Sequence, residues 1–130
     1  MKYLLDADWV ISFLNGKPNA VDLVRELADE GIALSIITCG EVYEGLLSTS
    51  SSADHLVRFE DLLGAVDVVS PDILVAHRYA TMRSQLRTRG LLIPDNDLWI
   101  AATAAARDLT LVSRDQHFSR LTGLKLYPVA

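Results

Sequence analysis

The chain has 130 residues and a mass of 14.3 kDa, room for one domain with its own core. Half the residues are apolar and 22% are charged, which excludes a disordered or low-complexity chain. Twelve Lys and Arg against seventeen Asp and Glu give a net charge of −5. By itself that balance argues against a nucleic-acid binder, because phosphate contacts normally come from a basic surface.

Tyr3-Leu4-Leu5 predicts a short buried strand that ends at Asp6. The apolar run is too short for a signal peptide. A helix is expected over residues 8–14, closed by Asn15-Gly16 and Pro18. Ala20, Val21, Val24, Leu27 and Ala28 recur at helical spacing, and Gly31 marks the stop that follows. A second strand is predicted over residues 32–37 and a helix over 38–47. That helix contains the single cysteine, Cys39, so an intramolecular disulfide and a Cys-based zinc site are both excluded. Its setting in Ile-Ile-Thr-Cys-Gly reads as a small buried side chain rather than a thiol nucleophile. The serine-rich stretch 48–52 predicts a loop with a helix cap and could form a lip of a binding groove. A helix over residues 53–63 then leads to a strand over 66–69.

Ser70-Pro71-Asp72 predicts a helix start, with the helix running to Arg87 and ended by Gly90. After the apolar loop Leu91–Pro94, residues 97–107 form a helix apolar nearly all round, which belongs in the interior. A strand over 109–112, a short helix over 116–121 and an edge strand over 125–127 complete the chain. No run of about 18 apolar residues offers a membrane span, so the expectation is a cytoplasmic protein with no membrane partner.

Strands alternating with helices call for a parallel sheet covered on both faces, with sites at the carboxyl ends of the strands. Acids occupy those ends. Asp6 follows the first strand, Glu41 lies in the opening turn after the second, and Asp115 follows the strand ending at Val112. Asp95 and Asp97 begin the apolar helix. Carboxylates converging on one pocket repel and have raised pKa values unless cations neutralise them. Hard oxygen ligands without Cys or clustered His favour Mg²⁺ or Mn²⁺, and the natural chemistry is metal-assisted attack of water on a phosphodiester. Each acid also fits a structural role: Asp8, Asp95 and Asp97 as caps or dipole partners, Glu41 as a solvated acid, and Asp115 as a turn residue.

Four segments in order resemble the motifs of PIN-domain ribonucleases. They are Leu4-Leu5-Asp6-Ala7-Asp8-Trp9, Ile37-Thr38-Cys39-Gly40-Glu41-Val42, Pro94-Asp95-Asn96-Asp97-Leu98-Trp99 and Leu111-Val112-Ser113-Arg114-Asp115-Gln116-His117-Phe118. Their spread and the chain length resemble the single-domain VapC-type toxins of type II toxin–antitoxin pairs. The resemblance implies a three-layer α/β sandwich with a parallel sheet in the order 3-2-1-4-5. It implies Mg²⁺- or Mn²⁺-dependent endonucleolytic cleavage of RNA, with Asp6, Glu41, Asp97 and Asp115 as catalytic metal ligands. Asp8, Asn96 and Ser113 would support them, while the position of Asp95 varies in the family. It further implies a cognate antitoxin lying across the acidic groove and a homodimer, for which Trp9, Phe13 and Leu14 are candidate contacts that core packing explains equally well.

Arg83 and Arg87 share a helix face, and form either a solvated surface or a phosphate rail for RNA. His55, His77 and His117 read as surface or packing residues, with His117 the exception worth testing because it follows Asp115 so closely. Two rivals remain. Asp6-Ala7-Asp8 after a strand also looks like a haloacid-dehalogenase-type phosphatase, although Val10 replaces the hydroxyl residue expected there. A non-catalytic RNA- or partner-binding PIN module is the other.

Overall fold

In a computed structural model that describes residues 2–48 and 53–128, β1 (Tyr3–Leu5) lies at the centre of a five-stranded sheet. Its neighbours are β2 (Ile32–Ser35) and β4 (Thr110–Val112), with β3 (Asp67–Val69) beyond β2 and β5 (Lys125–Leu126) beyond β4. The order is therefore 3-2-1-4-5, and every pairing is parallel. Tyr3 faces Ile32 on one side and Thr110 on the other, so the three central strands end level with one another.

The period of two sorts the central strands between two cores. Tyr3, Leu5, Ile32, Leu34 and Val112 face one side. There they meet α1 (Ala7–Leu14), α2 (Pro18–Ala28), α3 (Ile36–Ser48) and α4 (Ala53–Ala65), with Phe59 fully buried among them. Leu4, Ala33 and Leu111 face the other side and meet α5 (Ile73–Thr88) and α6 (Asp95–Ala106). Leu98, Ile100, Ala101, Ala102 and Ala104 are all fully buried, as the apolar circumference of this helix requires. A sheet covered on both faces has continuous apolar strands, and β1, β2 and most of β4 are buried throughout.

Local chemistry sets the boundaries. Asp6 caps α1 through its side chain, and Asp72 caps α5 by accepting the Val75 N–H at 3.0 Å. The second strand is shorter than its apolar run suggests. Ser35 Oγ accepts the Ile37 N–H at 3.1 Å, so Ile36 and Ile37 turn into α3 instead of extending β2. The last helix of the sheet's second face begins two residues earlier than expected, at Asp95. Residues Gln116–Arg120 form a 3-10 helix capped by Asp115. Of the serine-rich stretch, Ser48 closes α3 and 49–52 lie outside the described residues. Trp9 and Leu14 are core residues at 4% and 1% exposure, which removes both as dimer contacts. Among the described residues no helix is long and apolar enough to cross a membrane.

Candidate active site

Asp6 leaves β1 at the carboxyl edge of the sheet and is itself buried. Its two oxygens are separately held. Oδ1 accepts the Ala7 N–H at 2.8 Å, and Oδ2 accepts the Ser113 hydroxyl at 2.7 Å. Ser113 comes from the end of β4, so the hydrogen bond ties the termini of two neighbouring strands. The same Oγ accepts the Asp115 N–H at 3.0 Å, placing one hydroxyl between two of the acids. Burial pushes the Asp6 carboxyl above its usual range, and the charges of Asp97 and Asp8 push in the same direction against those two hydrogen bonds.

Glu41 lies in the second turn of α3, because the helix starts at Ile36. Its Oε1 is buried with no hydrogen-bond partner among the described residues. Burial first, then the charges of Asp6 and Asp97, raise its pKa from 4.5 to about 7, with the Asn96 side chain opposing the shift. A cavity of about 420 Å³ opens over it, walled by Asp8, Gly40, Glu44 and Asn96.

Asp97 is the third residue of α6, and burial raises its pKa, as does the charge of Asp115. His117 opposes both without cancelling them. Its Nδ1 stands 3.0 Å from Asp115 Oδ1 and 3.4 Å from Asp97 Oδ2. One ligand atom from each of these three residues falls within 4.8 Å of the others. His117 reaches this position because its own N–H donates to Asp115 Oδ1 at 2.9 Å, which tightens the chain into the 3-10 turn.

The structural alternatives for the acids divide cleanly. Asp6 and Asp115 each cap a helix and also stand in the acid group. Asp97 makes no cap, since the N-cap of α6 is Pro94 with no side-chain cap bond, but it stands in the first turn, where the helix dipole favours an acid. Asp8 is exposed in the first turn of α1, close enough for its charge to raise Asp6, Glu41 and Asp97 together. Asp95 turns away from this group. It accepts the Tyr79 hydroxyl and pairs with Arg83 at 3.5 Å, so this arginine of the expected phosphate rail is tied to a carboxylate. Arg87, one turn along the same helix, is exposed and has no ion-pair partner among the described residues.

The group as a whole is an electrostatic deficit. Three carboxyls have raised pKa values, one buried oxygen is unpartnered, and His117 is the cation-capable side chain that contacts two of the acids. The ligand atoms that lie together come from Asp97, Asp115 and His117, while Asp6 and Glu41 are coupled to Asp97, and Glu41 to Asp6, through their charges. Carboxylate oxygens of this kind fit a hard divalent cation. Cys39, at 4% exposure, lies in the core with its thiol pKa raised by burial, so no thiol chemistry competes.

Comparison with known proteins gives the same direction. A PIN domain family model matches residues 3–124. Ribonuclease VapC1 of Methanocaldococcus jannaschii is 33% identical over 97% of this chain and 87% of its own length. Ribonuclease VapC2 of Rickettsia felis is 27% identical over 97% and 96%. Among solved structures, VapBC2 from Rickettsia felis bound to a DNA fragment superposes with a TM-score of 0.89 at 26% identity over 98% of each chain.

Proposed function

The chain belongs to the PIN domain family, and from that premise we propose that it is the endoribonuclease toxin of a type II toxin–antitoxin pair. Glu41 carries the reading: a carboxyl with an unpartnered buried oxygen and a pKa near 7, facing Asp6 and Asp97, is a ligand in want of a cation. Asp6, Glu41 and Asp97 would hold Mg²⁺ or Mn²⁺, with Asp115 completing that site. A bound divalent ion supplies a water of lowered pKa and neutralises charge developing on the phosphodiester.

The chain's own groups do the rest. Ser113 fixes the orientation of Asp6 and the backbone at Asp115, as hydrogen-bonded groups behind a ligand commonly do. The His117 N–H holds one Asp115 oxygen in place, leaving its ring to span Asp115 and Asp97. Asn96 and Asp8 wall the open side where RNA would enter.

The solved relatives include toxin–antitoxin complexes such as VapBC2, which supports a cognate antitoxin for this chain, lying across the acids and silencing it in the cytoplasm. A homodimer is part of the same reading. The free chain incubated with structured RNA should cleave it in Mg²⁺ or Mn²⁺ and stop in excess chelator. Asp97→Ala should lower the rate by at least ~100-fold, the order associated with losing a preorganised charge-stabilising group. Undiminished cleavage by Asp97→Ala would overturn the assignment.

A further inference from the structure

Beside the acids, on the β4–β5 side, a cavity of about 520 Å³ shares Ser113 and Asp115 with the active site and runs out towards Tyr127. Its size falls within the ~300–1,000 Å³ of ligand clefts. Trp9, itself almost fully buried, forms part of its wall, and its indole N–H is buried with no protein acceptor among the described residues. Arg114 lies over that indole, its guanidinium carbon 3.7 Å from the ring centroid, and is steadied by a hydrogen bond of 3.3 Å to Ser12 Oγ. The guanidinium is therefore held as a plate against the ring, while the residue remains exposed. No carboxylate among the described residues pairs with it.

From these features we propose that the Arg114 cavity is a base-binding subsite for the nucleotide next to the scissile phosphate, with Arg114 as its stacking platform and Gln116 at the base edge. This rests on the ribonuclease reading of the adjoining acids. The chemistry favours a base over a second phosphate. Phosphate pockets gather several cations, whereas this cavity offers one guanidinium beside the Asp115 carboxylate. Its other polar groups are neutral: beside the Ser113, Ser119 and Tyr127 hydroxyls stand the Asn19 and Gln116 amides, donor–acceptor pairs of the kind that read a base edge. A planar guanidinium already seated on an indole adds a base as a third layer with little loss of side-chain freedom. Continuity through Ser113 and Asp115 puts that base one nucleotide from the reacting bond. Of the two arginines expected to serve the RNA from α5, Arg83 is by contrast engaged with Asp95, while Arg87 has no ion-pair partner among the described residues.

The test uses the full chain, free of antitoxin, with short single-stranded oligoribonucleotides that differ only in the bases flanking the cut. Arg114→Ala should raise KM by ~10–100-fold, the range for losing one stacked base, with kcat changed much less. Arg114→Lys separates the two chemistries. It keeps the charge but not the plane, so it should behave like the alanine variant. Gln116→Ala should flatten the preference for one flanking base while preserving kcat. Manganese affinity, measured by calorimetry, should be the same in Arg114→Ala as in the parent chain. Wild-type KM in Arg114→Lys would overturn base stacking and indicate a phosphate contact. A fall in kcat or manganese affinity with KM unchanged would overturn the subsite. If the parent chain cuts no RNA with metal present, the ribonuclease reading fails, and equilibrium binding of a labelled oligoribonucleotide decides the subsite separately. Weaker binding by both Arg114 variants sustains it, and equal binding ends it.

Discussion

At Glu41 the unusual proton affinity has a thermodynamic consequence. A carboxyl whose folded pKa lies above its unfolded value stabilises the fold at low pH and loses that contribution as pH rises through the folded value. With Glu41 raised to about 7, and Asp6 and Asp97 shifted in the same direction, the metal-free chain should lose stability as pH rises from about 5 to about 8. Melting curves in excess chelator measure this directly. Glu41→Gln should be the less pH-sensitive protein over that interval, because its amide does not titrate. A melting midpoint that climbs with pH across the window in the parent chain would contradict the raised proton affinity that burial and mutual repulsion give these acids.

At the level of elements, the acid cluster depends on how α6 starts, and α5 governs that start. Asp95 and Trp99 are four residues apart on one face of α6, and Tyr79 of α5 touches both. Its ring stacks on Trp99 with centroids 4.0 Å apart and planes 10° from parallel, and its hydroxyl reaches Asp95. Tyr79 thus grips the turn whose opposite side presents Asp97. Tyr79→Phe keeps the stack and should cost ~1 kcal/mol or less, since Asp95 is largely solvated. Tyr79→Ala loses both contacts and should cost about 2–4 kcal/mol in urea unfolding, as well as weakening manganese binding. Equal stability of all three proteins would show that the clamp is idle.

The same elements show what could be read before any coordinates. β1, β4 and the interior helix α6 were legible because burial on every side leaves an unmistakably apolar run, and the strand ends located Asp6 and Asp115. Ile36 and Ile37 misled, since β-branched residues after a buried strand look like more strand. What ends β2 is the single hydroxyl of Ser35, which composition does not weigh. That shift also moved Glu41 from the first turn of its helix to the second. The engagement of Arg83 with Asp95 depends on α5 packing against α6, a contact between segments that helical spacing within α5 cannot reveal. His117 was the opposite case. Its closeness to Asp115 in sequence was a valid signal, and the 3-10 turn turned that closeness into contact with Asp97 as well.

For the whole molecule, the −5 charge has a location. Setting aside Asp6, Glu41, Asp97 and Asp115 leaves thirteen acids against twelve bases, so the remainder of the chain is close to neutral. An acidic protein is then compatible with an RNA substrate once the cluster is filled. Filling it should also stabilise the fold, because a ligand bound only by the native state adds about 2.7 kcal/mol at a hundredfold excess over its Kd. For a chain of this size that corresponds to a rise of roughly 8–16 °C in melting midpoint. The rise should be larger at pH 8 than at pH 6, where protons already occupy part of the cluster. Scanning calorimetry with and without Mn²⁺ checks both statements, and a midpoint indifferent to the metal would count against an acid cluster built to hold one.

Asp6 caps α1 with one oxygen and serves the acid cluster with the other, whereas Asp97 caps nothing. The two residues therefore break differently. Removing the Asp6 side chain costs the cap as well, about 0.5–2 kcal/mol, and severs the bond that ties β1 to β4. Removing Asp97 relieves repulsion and leaves every cap intact. On the toxin reading proposed above, a population of cells under pressure from an active copy would have a ready exit at position 97, where the inactive product would remain folded and could still sequester an antitoxin. At position 6 the exit passes through a damaged fold, exposed to proteolysis. The geometry of one carboxylate thus bears on which silenced forms persist in a lineage and which disappear.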